Sequence, residues 1–347
     1  MKRFLKTVTL VLCLTMLLGL VPSAMAEVDK SQTLIIYTNS GSNGRAEWLM
    51  ERAKQDGYNV EVVFAGAGEI TNRIVAEKNN QIADLLFGLN TMEYVKLKKE
   101  DLLLQYTPVW ADQVDKTLAD SEGYYYPIVI QPLFLVYNTD AYPEGTAPKD
   151  YTDLLAPEFK DKYTVLKLSG GTSKTIISSI LVRYRDDAGE YGVSQEGWDV
   201  MKGFIQNGHI EAEGDDVFGA IMSGERPVAE TWGSNFIQQS QTLNTDKLAF
   251  VVPEVGVPYV VEQVAVFKNS KKTDLAIDFI NWFGSSAIQA EWSAKFGSTP
   301  AQPEALATAS QQVQDMMAAV TPQQIDWNFV VEHIEQWMEK IELEFVE

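Results

Sequence analysis

The chain has 347 residues, with 28 Lys+Arg against 48 Asp+Glu and a formal net charge of −20; at about 100 to 200 residues per domain, two domains are expected. Its 46% hydrophobic, 11% aromatic and 22% charged residues are those of a globular protein, which excludes intrinsic disorder for most of the length. The acidic balance argues against nucleic acid or an anionic membrane surface as partner, since either needs a basic footprint, and a lone cysteine, Cys13, excludes a disulfide scaffold or CxxC chemistry.

Residues 1–26 carry Lys2, Arg3 and Lys6, an apolar run over 8–21, and then Pro22-Ser23-Ala24-Met25-Ala26. This pattern is that of a secretory signal with an A-x-A cleavage site near Ala26. The apolar run, about 14 residues, is short of the roughly 20 that span a bilayer as a helix. Cys13 follows Val11-Leu12 rather than the small residue a lipoprotein signal wants. Cleavage removes three positive charges and leaves 25 basic against 48 acidic residues, net −23. The expectation is an exported protein, periplasmic or extracellular.

From Thr33 onward, short apolar strands alternate with amphipathic helices, the pattern of an α/β sandwich with mostly parallel sheets. Residues 33–38 (TLIIYT) read as a buried strand ending in Asn39-Ser40-Gly41-Ser42-Asn43-Gly44. A helix follows with Ala46, Leu49, Met50 and Ala53 on one face and Gly57 as its stop. The cycle repeats with a strand over 59–64, a Gly66-Ala67-Gly68 turn and a helix through Ile70, Ile74 and Val75. Residues 84–87 form a third strand, and 124–130 and 133–138 are extended runs, the second crossing to another lobe. Residues 165–168 lead into Ser169-Gly170-Gly171-Thr172-Ser173 and a helix over about 172–185 with Ile176, Ile177, Ile180, Leu181 and Tyr184 inward. Later strands are expected at 228–232, 248–252 and 260–267, then an apolar helix over 274–283. Trp327, Val330, Val331, Ile334, Trp337, Met338 and Ile341 fall at helical spacing, which predicts a long docked amphipathic helix.

Three strand-to-helix turns share one design, small hydroxyl residues or glycines directly before a helix: 40–44, 66–69 and 169–173. Exposed amides at a helix N-terminus carry positive partial charge and glycine permits close approach, so such turns suit anions; each can equally be an ordinary cap. Residues 169–175 end in Lys174-Thr175 but lack the glycines of a P-loop. His209 and His333 have no second histidine or cysteine nearby, so no zinc site is expected. There is no G-x-S-x-G elbow or H-E-x-x-H, and nothing supports an enzyme. Trp232, in Thr231-Trp232-Gly233-Ser234-Asn235, ends a strand among small polar residues, either as core or as a cleft residue.

Several segments then resemble the extracellular solute-binding proteins of ABC importers, in the branch of ferric-ion, phosphonate and sugar-phosphate binders. They are LIIYTNSGS (34–42), ADLLFGLN (83–90), YYYPIVIQPLFLVYN (124–138), LLAPEFKDKYTVLKLSGGTS (154–173), ETWGSNF (230–236) and AIDFINWFGSSAIQAEW (276–292). The resemblance implies an α/β, two-lobed type 2 periplasmic-binding-protein fold with a central ligand cleft and a permease as partner. Lobe 1 would take 27–135 plus 255–305, lobe 2 would take 136–254, and 306–347 would supply C-terminal helices packing on the lobes. Ferric binders of the branch place a histidine in the first turn, an acidic residue after the third strand and a tyrosine pair before the last cleft helix. Here those places hold residues 39–42, Asn90 and Thr231-Trp232, a poor donor set for a hard cation.

The expected cargo is therefore a small anionic organic solute, a phosphonate or phosphate ester. Ser40, Gly41, Ser42, Gly68, Asn90, Ser169, Gly170, Gly171, Thr172, Ser173 and Trp232 are the candidate contacts, with Glu230 or Glu262 available for an amine and Arg45, Arg73 and Lys174 for reinforcement. A monomer without cofactor or resident metal is expected. The alternatives are a ferric-iron receptor using exogenous anions, a secreted hydrolase, or the ligand-binding partner of a two-component sensor.

Overall fold

The computed structural model describes residues 28–143 and 145–346; the expected secretory signal lies outside the described residues. Three strand–helix units come first: β1 (Thr33–Thr38) and α1 (Arg45–Gln55), β2 (Asn59–Phe64) and α2 (Ala67–Ala76), β3 (Leu85–Asn90) and α3 (Thr91–Lys99). Each helix returns the chain, so the strands lie parallel in the order β2-β1-β3. Period-two alternation splits β1 between two cores: Leu34 and Ile36 enter one, Tyr37 the other. Both faces are thus covered, as a parallel sheet requires. Val75, placed on the apolar face by its spacing, is instead exposed.

The two extended runs expected around Gln131-Pro132 are one strand, β4 (Tyr126–Asn138), 13 residues long. After it come β5 (Tyr163–Val165), α4 (Gly171–Leu181), β6 (Arg185–Glu190), α5 (Gln195–Asn207), β7 (His209–Ile210) and α6 (Val217–Ser223). Next are β8 (Val228–Trp232), α7 (Gly233–Thr242), β9 (Leu248–Phe250) and β10 (Tyr259–Val266). The chain finishes with α8 (Thr273–Phe283), α9 (Ser286–Phe296), β11 (Thr299–Pro300), α10 (Pro303–Leu306), α11 (Gln311–Ala319) and α12 (Trp327–Glu344).

The strands join in the order β2-β1-β3-β10-β4-β8-β5-β7, with β9 and β11 also on β4. The expectation of mostly parallel sheets needs correcting. β10 runs antiparallel to both β3 and β4, and β4 antiparallel to β8, because β4 passes straight through and β10 comes back without a crossover helix. Residues of β4 up to Pro132 pair with β10, and those from Leu133 pair with β8. The first half of the sheet has α1, α8 and α9 on one face and α2 and α3 on the other. The second half buries α4, α5 and α12 on one face and α6 on the other.

Around the start of α4 one strand and one helix differ from expectation. The run over 165–168 is not a strand; β5 stops at Val165. The helix over 172–185 is α4 followed by a 3₁₀ turn, Val182–Tyr184. α12 docks as its periodicity predicts, with Val330, Ile334, Trp337, Met338 and Ile341 buried. It also reaches back to the first half, since Lys96 of α3 meets Glu335 at 3.1 Å and Lys99 meets Glu332 at 2.8 Å.

Trp292 of α9 sits at the centre of the largest aromatic group, with Trp48, Phe87, Phe283 and Phe296 at centroid distances of 5.4, 5.9, 5.5 and 4.7 Å. Removing a buried aromatic of this size costs about 3–5 kcal/mol. Trp292→Ala should lower the unfolding free energy by that amount in urea titrations; a loss below about 1 kcal/mol would show that the first core does not depend on it.

Candidate functional site

In open α/β sheets ligands bind outside the carboxyl ends of the strands, where the topology switches. Here those ends are the turns after β1, β2 and β3 in the first half, and after β5 and β8 in the second. The turn after β1 uses its own amides: Arg45 N donates to the Ser42 carbonyl and Ala46 N to the Gly41 carbonyl, both at 3.1 Å. Gly41 must be glycine, because a Cβ there would lie 2.7 Å from the Phe64 ring. Ser42 is exposed, whereas Ser40 is buried. The turn before α2 is open: α2 lacks a side-chain cap, and nothing lies within 4 Å of a Cβ built on Gly66 or Gly68.

Ser40 and Glu262 form one unit. The Ser40 hydroxyl donates to Glu262 Oε2 at 2.7 Å, and Glu262 pairs with Asn90 across β10 and β3. The Glu262 side chain keeps partial exposure, yet the surrounding protein pushes its carboxyl above the ordinary range, opposed by the Ser40 hydroxyl and the charge of Arg45. A carboxyl so held accepts hydrogen bonds from a ligand hydroxyl or ammonium group.

Asn90 caps α3, its Oδ1 accepting from Glu93 N at 3.3 Å. That bond fixes the amide: the acceptor turns to the helix and the NH₂ faces away. Asn90 Nδ2 lies 3.2 Å from the position a Cβ would take on Gly171, so the donor of one sheet half meets the N-terminus of α4 in the other. α4 has no side-chain cap, which leaves its first amides without partners inside the helix. Gly171 is exposed and Thr172 partly so. Ser173 is different: it is buried and its hydroxyl donates to the Lys167 carbonyl at 2.7 Å, while Gly170 N donates to the same carbonyl at 3.1 Å. Ser169 is exposed beside Gly170 at the rim of this turn.

Trp232, partly buried, pairs with Leu133 of β4 and packs on the second core. It occupies the N-cap position of α7 without a side-chain cap, and the Ser234 amide two residues on donates to Gln131 Oε1 at 3.2 Å. Glu230 lies on the same strand with its side chain closed to solvent, 2% exposed. Its Oε2 accepts from Leu166 N at 2.7 Å, and its Oε1 has no partner. Of the two glutamates considered for an amine, Glu262 is the one with access.

The basic residues divide. Arg73 is bound to Glu77 at 2.9 Å and lies over Tyr37, and Lys174 points to Glu335 at 3.8 Å. Arg45 lies over the Phe296 ring at 5.5 Å and acts on Glu262 by charge. His209 contacts Asp215 at 2.8 Å and His333 contacts the Phe329 carbonyl at 2.9 Å. Among the described residues no group of three or more His, Cys, Asp or Glu could hold a metal ion. The sequence marks Asn90 as a candidate contact and as a departure from an acidic residue, but not as a helix cap; the signal for that role was the Asn-x-x-Glu spacing, an N-cap pattern.

Residues 80–333 match the family model described as bacterial extracellular solute-binding protein. A probable ABC transporter periplasmic-binding protein, y4fP, from Sinorhizobium fredii is 33% identical over 90% of this chain and 87% of that protein. The ferric binding protein from Campylobacter jejuni superposes with a TM-score of 0.73 at 22% identity, over 90% of this chain and 100% of that one. The periplasmic binding protein AfuA from Actinobacillus pleuropneumoniae, with fructose-6-phosphate bound, gives a TM-score of 0.67 at 19% identity, over 90% and 99%. These structures share the two-lobed type 2 periplasmic-binding-protein fold.

Burial pushes the Glu230 carboxyl up from 4.5 to about 8; the Leu166 amide opposes this and Glu211 adds to it. The folded state therefore holds the proton more tightly than the unfolded chain. This contribution to stability is full below about pH 4.5 and is lost as pH rises through about 8, with a slope of at most about 1.4 kcal/mol per pH unit. Glu230→Gln should flatten the pH dependence of the urea midpoint over that window; an unchanged dependence would mean Glu230 does not carry it.

Proposed function

This chain belongs to the bacterial extracellular solute-binding proteins, the receptors of ABC-type importers, and from that premise we propose that its cargo is a small organic phosphonate or phosphate ester. The reading is carried by one observation: Asn90 Nδ2 stands opposite Gly171 at the uncapped start of α4. Amides at a helix start and a side-chain NH₂ are all donors, and their shared target is an anion. The Thr172 hydroxyl adds to the set. Glu262, held by Ser40, would take a hydroxyl or amine at the other end of the solute, and Trp232 would contact its organic part.

In this reading the lobes are 27–135 with 255–305 and 136–254, residues 306–347 pack across them, and the protein works as an exported monomer. No helix of the described residues is long and apolar enough to cross a membrane. Capture is by closure of the lobes, without chemistry, and a membrane permease receives the solute.

A ferric cargo is the second reading, because ferric binders are among the fold relatives. It needs anionic oxygens in the crevice. Four buried tyrosine hydroxyls are used elsewhere: Tyr94, Tyr106, Tyr126 and Tyr163 donate to backbone carbonyls, and burial raises the pKa of each. Such hydroxyls are poor sources of tyrosinate. Ferric citrate should accordingly give no saturable tyrosinate-to-iron visible band; a band saturating at one equivalent would establish the iron reading instead.

A ligand bound only by the folded protein stabilises it by about 2.7 kcal/mol at a hundredfold excess over Kd. Thermal shifts should therefore favour phosphonates and phosphate monoesters over neutral sugars and free amino acids. A hydrogen bond to a charged group is worth about 1.5–3 kcal/mol, so Thr172→Val should weaken binding of a responding anion roughly tenfold to a hundredfold by calorimetry. Shifts confined to neutral sugars would refute the anion assignment.

A further inference from the structure

We propose that Glu230 is a positioning residue for anion capture: it ends β5 and anchors the following turn, so that α4 presents its first amides to the crevice. The inference rests on the anion site proposed at α4. β5 and β8 pair in parallel through Tyr163 with Val228 and Thr164 with Ala229. The ladder stops there, although Leu166 still offers an amide on that side. Glu230 Oε2 accepts it at 2.7 Å, a side-chain oxygen in place of the next backbone acceptor. The chain then leaves the sheet.

The far end of the same turn is tied separately. The Lys167 carbonyl accepts from Gly170 N at 3.1 Å and from Ser173 Oγ at 2.7 Å. Lys167 N lies 3.5 Å from Glu211 Oε2, so two glutamates face two consecutive amides. Residues 166–173 are thereby held to β8 at one end and to the first turn of α4 at the other, with Gly171 and Thr172 left toward Asn90.

The interior gives no other use for a carboxyl at 230. Its second oxygen has no partner, and neither has the buried hydroxyl of Tyr151, whose ionisation Glu230 opposes. Burying an unsatisfied polar oxygen is unfavourable, and an apolar side chain would fill the space without that cost. What an apolar residue cannot supply is the acceptor for Leu166.

The experiment compares Glu230→Leu, which removes the acceptor, with Glu230→Gln, which keeps it, and uses Thr172→Val as the control for the site. Calorimetry with methylphosphonate and inorganic phosphate reads affinity, and amide hydrogen exchange over 166–173 reads the turn. Glu230→Leu should lose about tenfold or more in anion affinity, with faster exchange of those amides, while Glu230→Gln stays within about threefold of the parent and retains their protection. If Glu230→Leu binds like the parent while Thr172→Val is weakened, the positioning role is wrong and the site stands. If the parent binds neither anion, or Thr172→Val and Glu230→Leu both bind like it, the site reading fails and this inference with it. Should Glu230→Leu not fold, Ser173→Ala, which cuts the other tie of the turn, carries the test, and unchanged affinity overturns the inference.

Discussion

Because β4 runs for 13 residues without a break, it completes a ladder with β10 through its first half and another with β8 through its second. The register of each half of the sheet is therefore set against one backbone. Pro132 lies at the change of partner, where a missing amide is tolerated because the ladder is changing sides. The turns after β1, β3 and β5 converge because their strands are placed, directly or through β10 and β8, against this strand.

The chain is strongly acidic, yet its proposed ligand is an anion. The two facts concern different distances. Exposed carboxylates act through water and are screened within about 8–10 Å at physiological salt. A helix N-terminus acts through a few amides at hydrogen-bond range, in a crevice where less water intervenes. The two glutamates considered for an amine are also managed: Glu262 is bonded by Ser40 and faces the charge of Arg45, and Glu230, whose burial favours the neutral form, is turned inward onto Leu166.

Much of the fold was legible where burial dictates residue type. β1, β2 and β8 fall on the residues expected of them: β1 and β8 are buried strands, and β2, at the edge of the sheet, alternates exposed and half-buried residues over most of its length. β5 was misplaced because the apolar Val165, Leu166 and Leu168 look like a strand; what ends β5 is a side chain 64 residues away, which no local pattern reveals. α3 was missed because Lys96, Lys98 and Lys99 crowd its last turn, and α7 because GSNFIQQSQT has almost no apolar face. In the site, the glycine and hydroxyl content of 169–173 was visible. The division of labour within it was not: the Ser173 hydroxyl closes the turn, and only the fold shows which hydroxyl remains free.

Gly171 opens a helix that would be more stable with alanine at that position, by about 0.5–1 kcal/mol for an interior site and less at its first residue. Its φ lies outside the left-handed region that would demand glycine. Backbone conformation therefore does not explain the residue, and contact does. A Cβ would meet Asn90 Nδ2 at 3.2 Å, close enough that the donor, held by the Glu93 amide on its other side, would have to give way. The missing side chain lets two sets of donors from opposite halves of the sheet approach one point. The Lys96–Glu335 contact that also crosses between the halves, and the Lys174–Glu335 contact beside it, are exposed at Glu335, and exposed ion pairs contribute little and weaken with salt. The approach of α3 to α4 thus depends more on steric room at Gly171 than on charge at α12.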